Sequence, residues 1–116
     1  MTKAEKRKIF IELRDLCKSP KFEMIGKNEF SKGDEYSRIY KGLEDIGVLD
    51  YDYFEHLRGK DGYEMASQAE KLTFQECCTV LTFLLRAERF AEGAFTHALE
   101  EGTVYNILKR AVDVMS

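Results

Sequence analysis

Tryptophan is absent from this chain, proline occurs once at Pro20, and no apolar run approaches a membrane-spanning length. A spanning helix needs about 20 consecutive apolar residues, so a membrane-embedded class is excluded and no membrane partner is expected. A composition with 44% hydrophobic and 34% charged residues also excludes a disordered tail and fits a folded, helix-rich chain. Histidine occurs only at His56 and His97, neither at metal-binding spacing from another ligand type. The three cysteines form no recognisable disulfide framework: the count is odd, and Cys77 and Cys78 are adjacent. All three lie in apolar helical patterns and read as buried thiols. Adjacent helical cysteines point in different directions, so this pair cannot chelate, and no metal or cofactor is expected. Phosphate loops, nucleophile elbows, His-Glu-x-x-His sequences and dinucleotide fingerprints are all missing. No catalytic residues are therefore expected, and the chain reads as a binding protein.

What is present is charge, unevenly spread. Residues 1–33 carry nine Lys/Arg against five Asp/Glu, residues 34–70 carry four against ten, and residues 71–116 carry five against six. An overall charge of −3 argues against direct nucleic-acid binding, whose modules concentrate positive charge. The acidic middle suits a basic protein surface. The start of the chain is charged and meets Ile9 without a secretory apolar region, which leads to an expected cytoplasmic location. A length of 116 residues fits one domain over 1–116.

Periodicity predicts an all-α, compact bundle of five to six helices. Thr2 and Glu5 can form a capping box for a helix to about Lys18, with Ile9, Phe10, Leu13, Leu16 and Cys17 on one face. Ser19-Pro20 stops it, and 21–33 reads as an irregular loop. Asp34 is the expected cap of a second helix bearing Tyr36, Ile39, Tyr40, Leu43 and Ile46, ended by Gly47. A short helix follows a cap at Asp50 or Asp52, then a Gly59-Lys60-Asp61-Gly62 turn and a weak helix over 64–71. Thr73 with Glu76 forms a capping box opening the central helix, about 74–90. Its polar residues Gln75, Thr79, Thr82, Arg86 and Arg89 draw one narrow stripe, and the rest is apolar. Two further helices are expected, from Ala91 or Glu92 to Glu101 and after a Thr103 cap.

Glu88 falls on an apolar side of the central helix, four residues after Leu84 and seven after Leu81. A buried carboxylate needs partners. The backbone donors opening the next helix, or Arg110, would make it a latch among the last three helices, with Gly93 allowing the bend. Arg86 and Arg89 offer a forked clamp for a phosphate or carboxylate, against the commoner use of cations at a helix C-terminus to pair with Glu92 or Glu101.

These same residues carry a family resemblance. The run Arg86-Ala87-Glu88-Arg89-Phe90-Ala91-Glu92-Gly93, followed by Glu101-Gly102 and Leu108-Lys109-Arg110, resembles the signature of a family of small bacterial and phage proteins of unknown function. Its pattern is Arg-x-Glu-Arg-Phe-x-x-Gly, a second glycine and Leu-x-Arg. The run Asp50-Tyr51-Asp52-Tyr53 is similar to the family's upstream Asp-aromatic tract, with tyrosine where tryptophan is usual. The family's histidine after the signature glycine is replaced by Ala94, with His97 one helical turn along. The resemblance implies an accessory product of bacteria or mobile elements, a setting that includes small inhibitors of host defence.

The aromatic-acidic run Asp50-Tyr51-Asp52-Tyr53-Phe54-Glu55 is the candidate contact surface, because tyrosine joins apolar area to a polar tip and carboxylates complement a basic partner. With Asp34, Glu35, Glu44 and Asp45 it would form one acidic face. The plain alternative is aromatics plugging the core. The expected function is a non-enzymatic protein-binding module, in its sharpest form an anti-CRISPR-type inhibitor of a nucleic-acid-binding defence complex. A second copy of the chain is a further candidate partner. The rival readings are a regulator holding a phosphorylated ligand at Arg86 and Arg89, or a nucleic-acid binder using Lys3, Lys6, Arg7 and Lys8.

Overall fold

The structure, a computed structural model, describes residues 2–17, 33–88, 91 and 93–115. Seven α-helices and one 3₁₀ turn, without a strand, occupy the described residues: α1 Lys3–Leu16, α2 Gly33–Asp45, α3 Tyr53–His56, α4 Gly62–Ala66, the 3₁₀ turn Ala69–Lys71, α5 Phe74–Ala87, α6 Ala94–Glu100 and α7 Thr103–Met115. The all-helical bundle is as predicted. Of the expected loop over 21–33, Gly33 begins α2, and the remainder lies outside the described residues.

Local chemistry accounts for most of the boundaries. The Thr2 hydroxyl accepts from the Glu5 N–H at 3.1 Å, and Cys17 closes α1. At α5 both halves of the capping box form: Thr73 Oγ1 accepts from the Glu76 N–H at 3.1 Å, and Glu76 Oε1 from the Thr73 N–H at 3.0 Å. Such reciprocal bonds satisfy donors that a helix start leaves open. Asp34 falls inside the first turn of α2 and is not its cap. The weak helix expected over 64–71 divides into α4 and the 3₁₀ turn. Asp61 sets its start, taking the N–H groups of Tyr63 at 2.9 Å and Glu64 at 3.4 Å. Gly47 has φ +69° and the Val48 N–H returns to the Leu43 carbonyl at 3.2 Å, so α2 ends in a left-handed cap favouring glycine.

Buried apolar residues from α1, α2, α4, α5, α6 and α7 join in one core, led by Phe10, Ile39, Leu43, Leu81, Leu84, Leu85, Phe95, Ile107 and Leu108. Helix α5 packs against α3, α4, α6 and α7, while α1 reaches the bundle chiefly through α7 and α2. The middle is thus shared by α5 and α7. Helix α3 differs from its neighbours, for it contains no buried residue. It rests on the outer side of α5 as a flank.

Candidate partner-binding surface

The stripe of hydroxyls on α5 holds the flank. Thr79 and Thr82 are buried, at 4% and 1% exposure, because the segment leading into α3 lies across them. The Asp50 N–H donates to Thr82 Oγ1 at 2.9 Å, and the Thr82 hydroxyl donates in turn to the Cys78 carbonyl at 2.8 Å. The Asp50 carboxylate accepts the Thr79 hydroxyl at Oδ2, 2.6 Å, and the Asp52 N–H at Oδ1, 3.0 Å. His56 Nδ1 meets the same Oδ2 at 2.5 Å. Asp50 therefore bridges two turns of α5 to both ends of α3.

The position of Asp50 corrects one expectation and decides between the two alternatives for the cap. With 8% exposure it is an internal strut rather than part of an acidic face. The N-cap position of α3 belongs to Asp52, whose side chain makes no cap bond; the Asp50 carboxylate receives its backbone N–H instead. Electrostatics follow the geometry. Burial alone would raise the Asp50 pKa, but hydrogen bonds from Thr79, His56 and the Asp52 N–H outweigh it and hold the carboxyl below its ordinary value. His56 moves the other way, raised first by its hydrogen bond to Asp50 and then by that carboxylate's charge.

What this strut presents is aromatic. Tyr51, Phe54 and Tyr63 are 66%, 77% and 55% exposed, the large hydrophobics that stand out in solvent among the described residues. Tyr53 is half-buried. Phe83 of α5 supports the patch from beneath, with its ring edge-on to Tyr63 at 5.0 Å and tilted to Tyr53 at 6.4 Å. Asp52, Glu55, Glu44 and Asp45 are exposed, and Glu55 lies 3.8 Å from Arg58. The side chains of Asp34 and Glu35 lie outside the described residues.

The other candidates are placed differently. Glu88 is 6% exposed and forms the C-cap of α5, where Oε2 accepts the Gly93 N–H at 2.6 Å; Oε1 has no partner among the described residues. Gly93 has φ +89°, so the bend uses glycine's left-handed freedom. Arg110 is turned away from this carboxylate, contrary to one expectation: its Nε donates to the Leu72 carbonyl at 2.9 Å and ties α7 to the start of α5. The Glu88 bond closes the α5–α6 turn alone, because a backbone N–H five residues on is nearer than a side chain on another helix. Arg86 is half-buried on the last turn of α5, and Arg89 and Glu92 lie outside the described residues. Glu101 pairs with His97 Nε2 at 2.9 Å.

Lys3 and Lys8 are exposed while Lys6 and Arg7 are half-buried, and Arg7 Nε is enclosed without a hydrogen-bond partner among the described residues. Burial pushes the Cys77 thiol up to about 11 and Cys78 up to about 12, so both remain protonated and poorly nucleophilic near neutral pH. Among the described residues no group of three His, Cys, Asp or Glu side chains is placed to hold a metal. No helix there is long and apolar enough to cross a membrane.

Sequence reasoning passed over Thr79, Thr82, His56, Tyr63 and Phe83 as parts of this surface. The available signal was two hydroxyls one turn apart on a helix apolar elsewhere, with an Asp-x-Asp upstream.

Fold and surface together define an all-α domain with a pinned aromatic flank. The chain belongs to a family of unknown function (DUF6508), whose model matches residues 5–116. No curated protein and no solved structure matches the chain.

Proposed function

We propose that this protein is a non-catalytic binding module that engages a protein partner through Tyr51, Phe54 and Tyr63, with Asp52 and Glu55 directing a basic surface to them. The single observation carrying this reading is Phe54, 77% exposed on a helix that contributes nothing to the core. Isolated exposed apolar residues are ordinary, but three large ones within residues 51–63, before, on and after α3, support a contact surface. The Asp50 strut adds preorganisation, which lowers the ordering cost of association. Over 51–64 the exposed carboxylates Asp52, Glu55, Asp61 and Glu64 outnumber Arg58 and Lys60, four to two, which favours a basic partner by charge complementarity.

The sharpest form of the proposal is an inhibitor of a nucleic-acid-binding host-defence complex, of anti-CRISPR type. It rests on the resemblance of the Arg86–Gly93 signature to small phage and bacterial proteins. Affinity capture from cells carrying such defence systems tests it. Wild type is expected to recover a stoichiometric partner, which Phe54→Asp loses while keeping its helical circular dichroism. Recovery of no stoichiometric partner, or equal recovery by Phe54→Asp and by Asp52→Lys/Glu55→Lys, overturns the reading.

A further inference from the structure

We infer that the groove between α3 and α5 is a binding site for a small amphiphilic carboxylate, a medium-chain acyl or aryl acid. Its apolar body would lie on Phe83 and its carboxylate would meet Arg58 and Lys60. The groove encloses about 400 Å³ and is walled by Tyr53, Leu57, Phe83 and Ala87. Sites for small ligands are typically concave, roughly 300–1,000 Å³, apolar, and supplied with a few polar groups that orient the ligand. Here those polar groups are of one sign: Arg58 and Lys60 line the groove and no carboxylate does. This is a local reversal, for the surrounding flank is acidic.

The two cations are available to a ligand. Lys60 makes no ion pair among the described residues, and Arg58 has only a 3.8 Å pair with Glu55, both side chains being largely exposed. Such a pair is weak in water and exchanges readily for a buried-edge carboxylate, which a guanidinium grips in a fork. The apolar wall is fixed in place. A Cβ at position 62 would come within 2.6 Å of the Phe83 ring, so the ring lies directly on the Gly62 backbone, with Tyr63 edge-on against it. A neutral ligand would leave the cations unused, and a cationic one would be repelled by them. The groove shares Phe54 with the proposed partner surface, but its ligand needs no protein partner, so a titration with small molecules tests it apart from the reading above.

The test is an amide NMR titration of the whole chain with decanoate, decanol and decyltrimethylammonium. Decanoate is expected to give saturable shifts confined to residues 53–62 and 83–87, with a dissociation constant on the order of 0.1 mM. Decanol should bind about tenfold more weakly, the worth of two surface charge contacts, and the cation should not bind. Arg58→Ala/Lys60→Ala should bring decanoate to the decanol level. Ala87→Leu, filling the groove from a half-exposed helix position, should abolish binding of both, and Gly62→Ala does the same by displacing Phe83. Absence of saturable shifts, equal affinity for decanoate and decanol, or undiminished binding to a folded Ala87→Leu each overturns the inference.

Discussion

Asp50 and Glu88 are both buried carboxylates leaning on α5, and they are held in opposite ways. Asp50 gathers partners from three places, namely the hydroxyl of α5, the backbone entering α3 and the imidazole ending α3. Among the described residues Glu88 has one partner, a backbone N–H five residues ahead, and its second oxygen has none. The first is a tertiary device that fixes a surface element. The second is a local turn closure that needs nothing beyond its own loop. Buried polar groups destabilise unless satisfied, so removal of the two should cost different amounts and disturb different regions.

The largest effect is expected for Asp50→Ala. It removes the acceptor of several charge-assisted bonds, each worth about 1.5–3 kcal/mol, and should lower unfolding free energy by about 3 kcal/mol in urea titrations. Hydrogen exchange should show α3 released while α7 stays protected. Glu88→Ala should cost about 1.5 kcal/mol, the low end of one such bond, and should loosen only the α5–α6 turn. Equal losses, or a larger one at Glu88, would break the comparison.

His56→Ala is a smaller perturbation that sharpens it through pH. A histidine raised in the folded state stabilises fully below its unfolded value near 6.5, and that stability is lost as pH rises through the folded value. Asp50, lowered when folded, stabilises above its unfolded value near 3.8 and ceases to do so as pH falls through the folded value. Urea midpoints measured from strong acid to mild alkali should therefore fall above pH 6.5 in wild type and lose that slope in His56→Ala. The acid limb, which belongs to Asp50, should persist. The smallest change in stability is expected for Phe54→Asp, within about 0.5 kcal/mol, because its ring covers no core. A larger loss in calorimetry would make Phe54 a structural residue and remove it from the binding surface.

Much of the bundle was legible in residue order. The Thr73/Glu76 capping box, the apolar periodicities of α1, α2, α5 and α7, and the glycine terminations at 47 and 102 depend on neighbours three or four residues apart, which a sequence displays directly. Glu88 stood out for the same reason, as a charge breaking a helical period. Asp50 did not. Its partners Thr79 and Thr82 are 29 and 32 residues away, and nothing in local spacing separates it from the exposed Asp52 two positions on. The aromatic run shows the same limit, since alternation alone does not say which of Tyr51, Tyr53 and Phe54 faces out.

By itself, the sequence determined that this is a helical chain with an apolar α5, buried thiols and a charged, aromatic segment before Gly59, because those properties follow from composition and short-range periodicity. The tertiary structure alone decided that the threonines of α5 are an anchor and not a solvent stripe. It likewise made Asp50 a strut while Asp52 stays outside, and seated Phe83 on Gly62 beside a groove edged by Arg58 and Lys60. Burial and hydrogen bonding are set by what packs across a residue, and here the packing segments come from distant parts of the chain.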